Sequence, residues 1–306
     1  MRIAFALAAL LTLSACADSS PRPAVETALP AIAPATVPEC PADAGVMDGW
    51  NDRAPPRKIF GNVYYVGTCG ITALLVTSSQ GHMLLDGATE PAGPAIAANI
   101  EALGFKLADI KFILNSHEHS DHAGGLAYLQ RVTGARVLAR EPSAATLERG
   151  ASNRDDPQFG VLEKFSPVAN VHLLPDDQTV RIGDLALTAY ATPGHAPGST
   201  SWTWVSCESS LCLHMAYADS LSAASDKTYR FSDHADYLTA FHRSIDTVAP
   251  LPCDILISPH PFVSNLFARL DGKAPLMDSD ACKRYADGAR TSLERRLQDE
   301  KTHSAL

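Results

Sequence analysis

Between Asn115 and His122 the chain reads Asn-Ser-His-Glu-His-Ser-Asp-His, which sets His117, His119, Asp121 and His122 close together. In an extended chain alternate residues point the same way, so His117 and His119 can grip one cation. Asp121 and His122 follow where the chain turns into a helix and can face a second cation nearby. The remaining ligands must come from far along the sequence. The best donors are His195, in Thr192-Pro193-Gly194-His195, and His260, in Ser258-Pro259-His260-Pro261. Five histidines and one aspartate suffice for two divalent metals. Such a pair activates a water at neutral pH, and the chemistry that follows is hydrolysis. The plainer alternative is a set of polar loop residues. It would suit any one of these histidines, but burying the whole window without metal is costly in desolvation. His82, His172, His214, His234, His242 and His303 sit by a turn, on strand or helix candidates, or near the end, and are not expected to be ligands.

These side chains need a rigid frame. Short apolar runs rich in β-formers at 62–67, 71–77 and 82–86 are separated by Gly and Ser turns and read as a strand meander. Residues 91–103 have helical spacing, with Ile96, Ile100 and Leu103 on one side. A buried strand over 111–115 runs into the histidine window, and 122–132 reads as the helix after it. Strands are expected at 185–191, 200–206, 211–218 and 254–258. Ser232-Asp233 is expected to cap a helix striped by Tyr237, Leu238, Phe241, Ile245 and Val248. Cys282, Tyr285, Ala286, Ala289, Leu293 and Leu297 mark a last helix. The ligand candidates thus fall mostly where strands end.

The chain has 306 residues and a formal net charge of −9, so an electrostatically driven nucleic-acid partner is not expected. Arg2 followed by the apolar run 3–13 is an export signal, too short to span a bilayer. It ends either before Cys16, which would then be lipidated as an anchor, or after Ala17, giving a signal peptide over 1–17. Residues 18–39 form a Pro- and Ala-rich leader, and a single catalytic domain is expected over 40–306, with no transmembrane helix. Export implies the periplasm, as a soluble or lipid-tethered protein. With Cys16 set aside, six cysteines remain, enough for three disulfides in an oxidising compartment. Their connectivity is open in principle. The sequential pairing Cys40–Cys69, Cys207–Cys212 and Cys253–Cys282 is favoured, because Cys207 and Cys212 flank a short turn between two apolar runs. A structural zinc cluster lacks the C-x-x-C pair it would need. The sequence does not fix the oligomeric state.

Taken in order, His117-x-His119-x-Asp121-His122, Gly194-His195 and Pro259-His260 resemble the metallo-β-lactamase superfamily, and within it subclass B3. Tyr65-Val66-Gly67-Thr68, Leu84-Leu85-Asp86-Gly87 and the segment 217–222 extend the likeness from about Trp50 to the C-terminus. The resemblance implies an α/β fold, an αββα sandwich with the site at one edge. It implies two Zn2+ ions, the first on His117, His119 and His195, the second on Asp121, His122 and His260. It further implies a small β-lactam substrate, whose carboxylate Ser220 and Ser222 would bind and whose entrance Gln158 would line. A hydroxyl-capped turn is the plainer reading of the two serines.

The reaction so implied is hydrolysis of the β-lactam amide of penicillins, cephalosporins and carbapenems by an activated water that Asp121 orients, with antibiotic resistance as the consequence. A thioesterase of glyoxalase-II type or a lactonase is the rival within the superfamily, where Asp219 in place of Ser220 would face the metals. A non-catalytic metal-binding protein is the rival of another class. Three protein ligands per ion leave open positions, which suits catalysis better.

Overall fold

The computed structural model describes residues 37–41 and 45–303. The export signal, Cys16 and all but the end of the leader lie outside the described residues.

In the meander, Leu74, Val76, Met83 and Leu85 are buried in one core, while their neighbours Leu75 and Leu84 are buried in another. Alternate side chains leave a strand on opposite faces, so these strands are covered on both sides. They belong to a first sheet of seven strands, in sequence order. The strands are β1 (Arg57–Phe60), β2 (Val63–Tyr65), β3 (Leu74–Val76), β4 (His82–Leu85), β5 (Ile110–Leu114), β6 (Arg136–Ala139) and β7 (His172–Leu173). The pairs from β1 to β4 are antiparallel and those from β4 to β7 parallel. Parallel neighbours need crossovers. These are α1 (Gly93–Ala102) after β4, α2 (Ser120–Ala123) with α3 (Leu126–Thr133) after β5, and α4 (Glu141–Arg149) after β6.

The second sheet has the order β12-β11-β10-β9-β8. It contains β8 (Thr179–Ile182), β9 (Leu185–Ala191), β10 (Thr200–Glu208) and β11 (Leu211–Tyr217), then, after α5 (Ala235–Val248), β12 (Ile255–Ile257). Helices α6 (Leu266–Leu270) and α7 (Ala281–His303) end the described chain. The same alternation recurs: Met215 and Tyr217 enter the core between the sheets, and Ala216 enters the core shared with Phe241 and Ile245 of α5 and Leu293 of α7. Helix, sheet, sheet and helix are the four layers expected, an αββα sandwich.

Three local readings differ from the structure. The helix expected over 122–132 is two, broken at Gly124-Gly125. A Cβ on Gly125 would lie 2.2 Å from the Gly87 carbonyl oxygen, so only glycine lets the loop after β4 cross here. Ser232-Asp233 does not cap α5; Phe231–Asp233 form a 3₁₀ turn and the helix begins after His234. The free amides of Phe231 and Ser232 instead donate to the Glu300 carboxylate of α7, at 3.0 and 2.9 Å. Strands β1, β6, β7 and β8 and helices α4 and α6 were not expected; most are short and interrupted by polar residues.

The six cysteines lie in the sequential pairing, with sulfurs 1.99 Å apart in Cys40–Cys69, 2.06 Å in Cys207–Cys212 and 2.08 Å in Cys253–Cys282. Cys207 and Cys212 face each other in the β10–β11 register, and Cys253–Cys282 ties the approach to β12 to α7.

Gly125→Ala should therefore destabilise the protein by about 1–3 kcal/mol, the usual cost of overpacking. Urea unfolding monitored by circular dichroism measures this, and an unchanged midpoint would reject the tight crossing.

Candidate metal centre

The ligand candidates leave three separate stretches of chain and meet at one edge of the sandwich. His117 and His119 follow β5, still extended, and Asp121 and His122 occupy the turn of α2. His195 follows β9, in a loop where Gly194 is needed: a Cβ there would lie 2.3 Å from the Phe241 ring. His260 follows β12. One ligand atom from each of His117, His119 and His195 can be chosen so that all lie within 4.8 Å of one another, and the same holds for His117, Asp121 and His122. His260 joins the second group through Asp121, with its Nε2 3.6 Å from Asp121 Oδ2.

Four of the five imidazoles have one nitrogen turned outward to a hydrogen-bond acceptor, and the fifth, His122, faces a carboxylate at longer range. His117 Nδ1 lies 2.8 Å from Asp219 Oδ1, and His119 Nε2 lies 2.9 Å from Asp156 Oδ2. His195 Nδ1 is 2.8 Å from Ser222 Oγ, and His260 Nδ1 is 3.2 Å from the Gly70 carbonyl oxygen. His122 Nδ1 is 3.7 Å from Asp86 Oδ2. With the outward N–H donating, the other nitrogen keeps its lone pair for the centre, the arrangement that metal-binding histidines need. The inward His117 Nε2 is buried and has no hydrogen-bond partner. Leaving it so without a cation is costly, so the residues fit a metal.

The electrostatics agree. Burial, with the neighbouring histidines, pushes His117 and His195 well below the ordinary imidazole value. Burial, helped by His122, lowers His260 to about 4. These three are neutral at pH 7, as ligands must be. Burial also opposes charge on His122, but the Asp121 and Asp86 carboxylates outweigh it and lift the group to about 10. Burial would raise Asp121, yet His122, His119 and His260 hold it below the ordinary carboxylate range. Asp121 is thus an anion and His122 carries a proton when no metal is bound.

A groove of about 2090 Å³ opens on this cluster. That exceeds what one small ligand fills, so the centre is reached from a wide mouth. Ser220, Ser222 and Gln158 all line it. Gln158 Nε2 comes within 3.4 Å of His195 Nε2. Asp219 is fully buried behind His117, so Ser220 and not Asp219 faces the groove. Tyr285 of α7 holds this segment, its hydroxyl donating to the Asp219 carbonyl at 2.9 Å and accepting the Leu221 amide at 3.2 Å.

Asp86, Asp156 and Tyr285 were not singled out as site residues from sequence. Asp86 lay in the Leu84-Leu85-Asp86-Gly87 piece, but its work is tertiary. At φ 64° it accepts the Ser116 amide and hydroxyl and the Tyr217 hydroxyl, each at 2.6 Å. Nothing near Asp156 in sequence points to His119.

Sandwich and cluster together define a metal-binding hydrolase fold. A profile of the metallo-β-lactamase superfamily matches residues 66–208. The chain is 48% identical to the metallo-β-lactamase MIM-1 from Novosphingobium pentaromativorans, with a TM-score of 0.82 over 84% of this chain and 94% of that one. It is 45% identical to MEM-A1, a subclass B3 metallo-β-lactamase from a soil metagenome library, with a TM-score of 0.80 over 83% of this chain and 99% of that one. The chain belongs to the metallo-β-lactamase superfamily, and within it to subclass B3. Among curated proteins, the N-acyl homoserine lactonase AttM of Agrobacterium fabrum is 30% identical over 154 residues, 42% of this chain and 57% of the relative. The chain thus spans little more than half the length of that relative.

Because His122 is held near 10, it is protonated at pH 7 and must lose that proton to become a ligand. Loading the second group at pH 7 should release about one proton. Calorimetric titration in buffers of different ionisation enthalpy measures it, and buffer-independent heats would reject the charged His122. The sign for stability is separate. His117, His195 and His260 resist protonation in the fold, so below their unfolded value near 6.5 the unfolded chain binds more protons. Glu118 and Asp219, pushed up to about 7 by burial, take protons in the fold over the same range and offset part of this. The metal-free protein should therefore lose stability only modestly as pH falls from about 6.5 toward 4, as urea unfolding at several pH values would measure.

Proposed function

We propose that the protein is a zinc-dependent β-lactamase. It would hold two zinc ions, one on His117, His119 and His195 and the other on Asp121, His122 and His260. The observation that carries this reading is the pair of adjoining buried ligand groups beside a groove lined by Ser220 and Ser222. Likeness over nearly the full length of MIM-1 and MEM-A1 supports it. The shorter likeness to the lactonase AttM supports a lactonase as the second reading. Asp219 weighs against that reading, because it is committed to His117 and does not face the groove.

Bound zinc would supply Lewis acidity and a water ionised near neutral pH. The protein's part is to place the reactants. Asp121 is anionic and less enclosed than the histidine beside it, so its carboxylate accepts a hydrogen bond from the attacking water and orients it toward the lactam carbonyl. Ser220 Oγ donates to the carboxylate that β-lactams carry. Ser222 Oγ accepts from His195 Nδ1–H, which leaves its own O–H free for the same carboxylate. Gln158 also lines the approach. Penicillins, cephalosporins and carbapenems are the proposed substrates, with antibiotic resistance as the outcome. The three cysteine pairs suit an exported, periplasmic protein. Among the described residues no helix is long and apolar enough to cross a membrane.

Hydrolysis of a carbapenem by the purified protein should require zinc, vanish with a chelator and return when zinc is restored. His117→Ala and Asp121→Ala should each lower kcat/KM by at least about 100-fold, the upper end of what outer metal partners alone cost. Zinc binding without β-lactam turnover, but with cleavage of an acyl homoserine lactone, would favour the second reading. A hydrogen bond to a charged group contributes about 1.5–3 kcal/mol, so Ser220→Ala should raise KM about tenfold or more with kcat little changed. Steady-state kinetics reads this directly, and an unaltered KM would remove Ser220 from substrate binding.

A further inference from the structure

The segment that carries Gln158 across the groove is fixed to the metal centre by one carboxylate. Asp156 is 3% exposed, and both of its oxygens are engaged. Oδ2 accepts from His119 Nε2 at 2.9 Å, and Oδ1 accepts the backbone N–H of Gln158 at 2.8 Å. The Gln158 amide nitrogen lies 3.4 Å from His195 Nε2, the nitrogen His195 turns to the centre, so the segment that Asp156 fixes reaches both His119 and His195 of the same ligand group. The far side of the segment is held differently. The Asp226 carboxylate accepts the Gly160 amide at 3.0 Å, and the Asp226 amide donates to the Pro157 carbonyl at 2.8 Å.

The two anchors make different chemical demands. Asp226 is only partly buried and caps backbone amides, work that an asparagine oxygen can share. Asp156 is buried, and a buried carboxylate is tolerated only with strong partners. Towards Gln158 an asparagine oxygen would serve as well. Towards His119 it would not, since the remaining amide NH2 would meet the imidazole N–H donor to donor.

We propose that Asp156 is a positioning residue for metal binding: its carboxylate holds His119 with Nε2 protonated and Nδ1 turned to the ion, while setting the turn that brings Gln158 to the same ion's other ligand, His195. The inference rests on the reading that this centre holds zinc, and not on which bond is cleaved.

The test is zinc affinity, measured on the metal-free full-length protein by competition with a chelating dye, so a failure of the β-lactamase reading would leave it intact. Asp156→Asn should weaken zinc binding by about 10–100-fold, the usual effect of losing an outer partner of a ligand. Asp226→Asn, which loosens the same segment without touching His119, should leave zinc affinity within about twofold. Wild-type affinity in Asp156→Asn would overturn the proposal. So would equal losses in both variants, because segment stability alone would then set affinity. If Asp156→Asn does not fold, the zinc-loaded wild type decides by nitrogen-15 NMR: a slowly exchanging proton on His119 Nε2 upholds the assignment, and an unprotonated Nε2 refutes it.

Discussion

Crowding of imidazoles is the constraint on which the rest of the structure depends. The rings of His117, His119 and His195 lie 4.7–4.9 Å apart between centroids, and His117 is 4.3 Å from His122. At these distances only neutral rings with their lone pairs turned inward can share a cation. Four of the rings have a hydrogen-bond acceptor behind them, from Gly70, Asp156, Asp219 and Ser222, spread along the chain, while His122 faces the Asp86 carboxylate across 3.7 Å. The sandwich supplies such a meeting place, because strand ends of both sheets lie along one edge.

The inner wall is rich in carboxylates. Asp86, Asp121, Asp156 and Asp219 are all buried at the centre, and Glu118 lies beneath it with one oxygen on the Gly198 amide at 2.8 Å. Burial pushes Asp219 and Glu118 up to about 7. Burial thus works against charge on these two, and Asp121, held anionic by His122, is the carboxylate that favours a divalent cation at the centre. The cost appears in the backbone as well, since Asp86 adopts a left-handed φ of 64° while serving both β-sheets through Ser116 and Tyr217.

Part of the groove lies beyond the superfamily profile, which ends at residue 208. Ser220, Ser222 and His260 follow it, and so does α7, whose Tyr285 holds the serine segment through Asp219 and Leu221. The second half of the fold thus completes the centre and shapes the mouth, while the first half provides the ligands that are close in sequence.

The histidine window was legible because its information is local. Residues two apart in an extended chain share a face, and a strand running into a helix turns the next pair toward the same point. His195 and His260 were legible as histidines after strands, the core strands as apolar runs rich in β-formers, and the Cys207–Cys212 pair by its short spacing. The sequence did not reveal the break at Gly124-Gly125, since only the crossing loop at Gly87 requires it. It left open whether Asp219 or Ser220 faces the groove, because adjacent residues differ only in which side of the chain the packing chooses. It was silent on Asp156, whose partner His119 is 37 residues away. Ligand identity is a property of side-chain type and short spacing, which the sequence carries by itself. The tautomer and aim of each ligand are set by an acceptor brought from a distant stretch, and that depends on how the two sheets and their helices are packed.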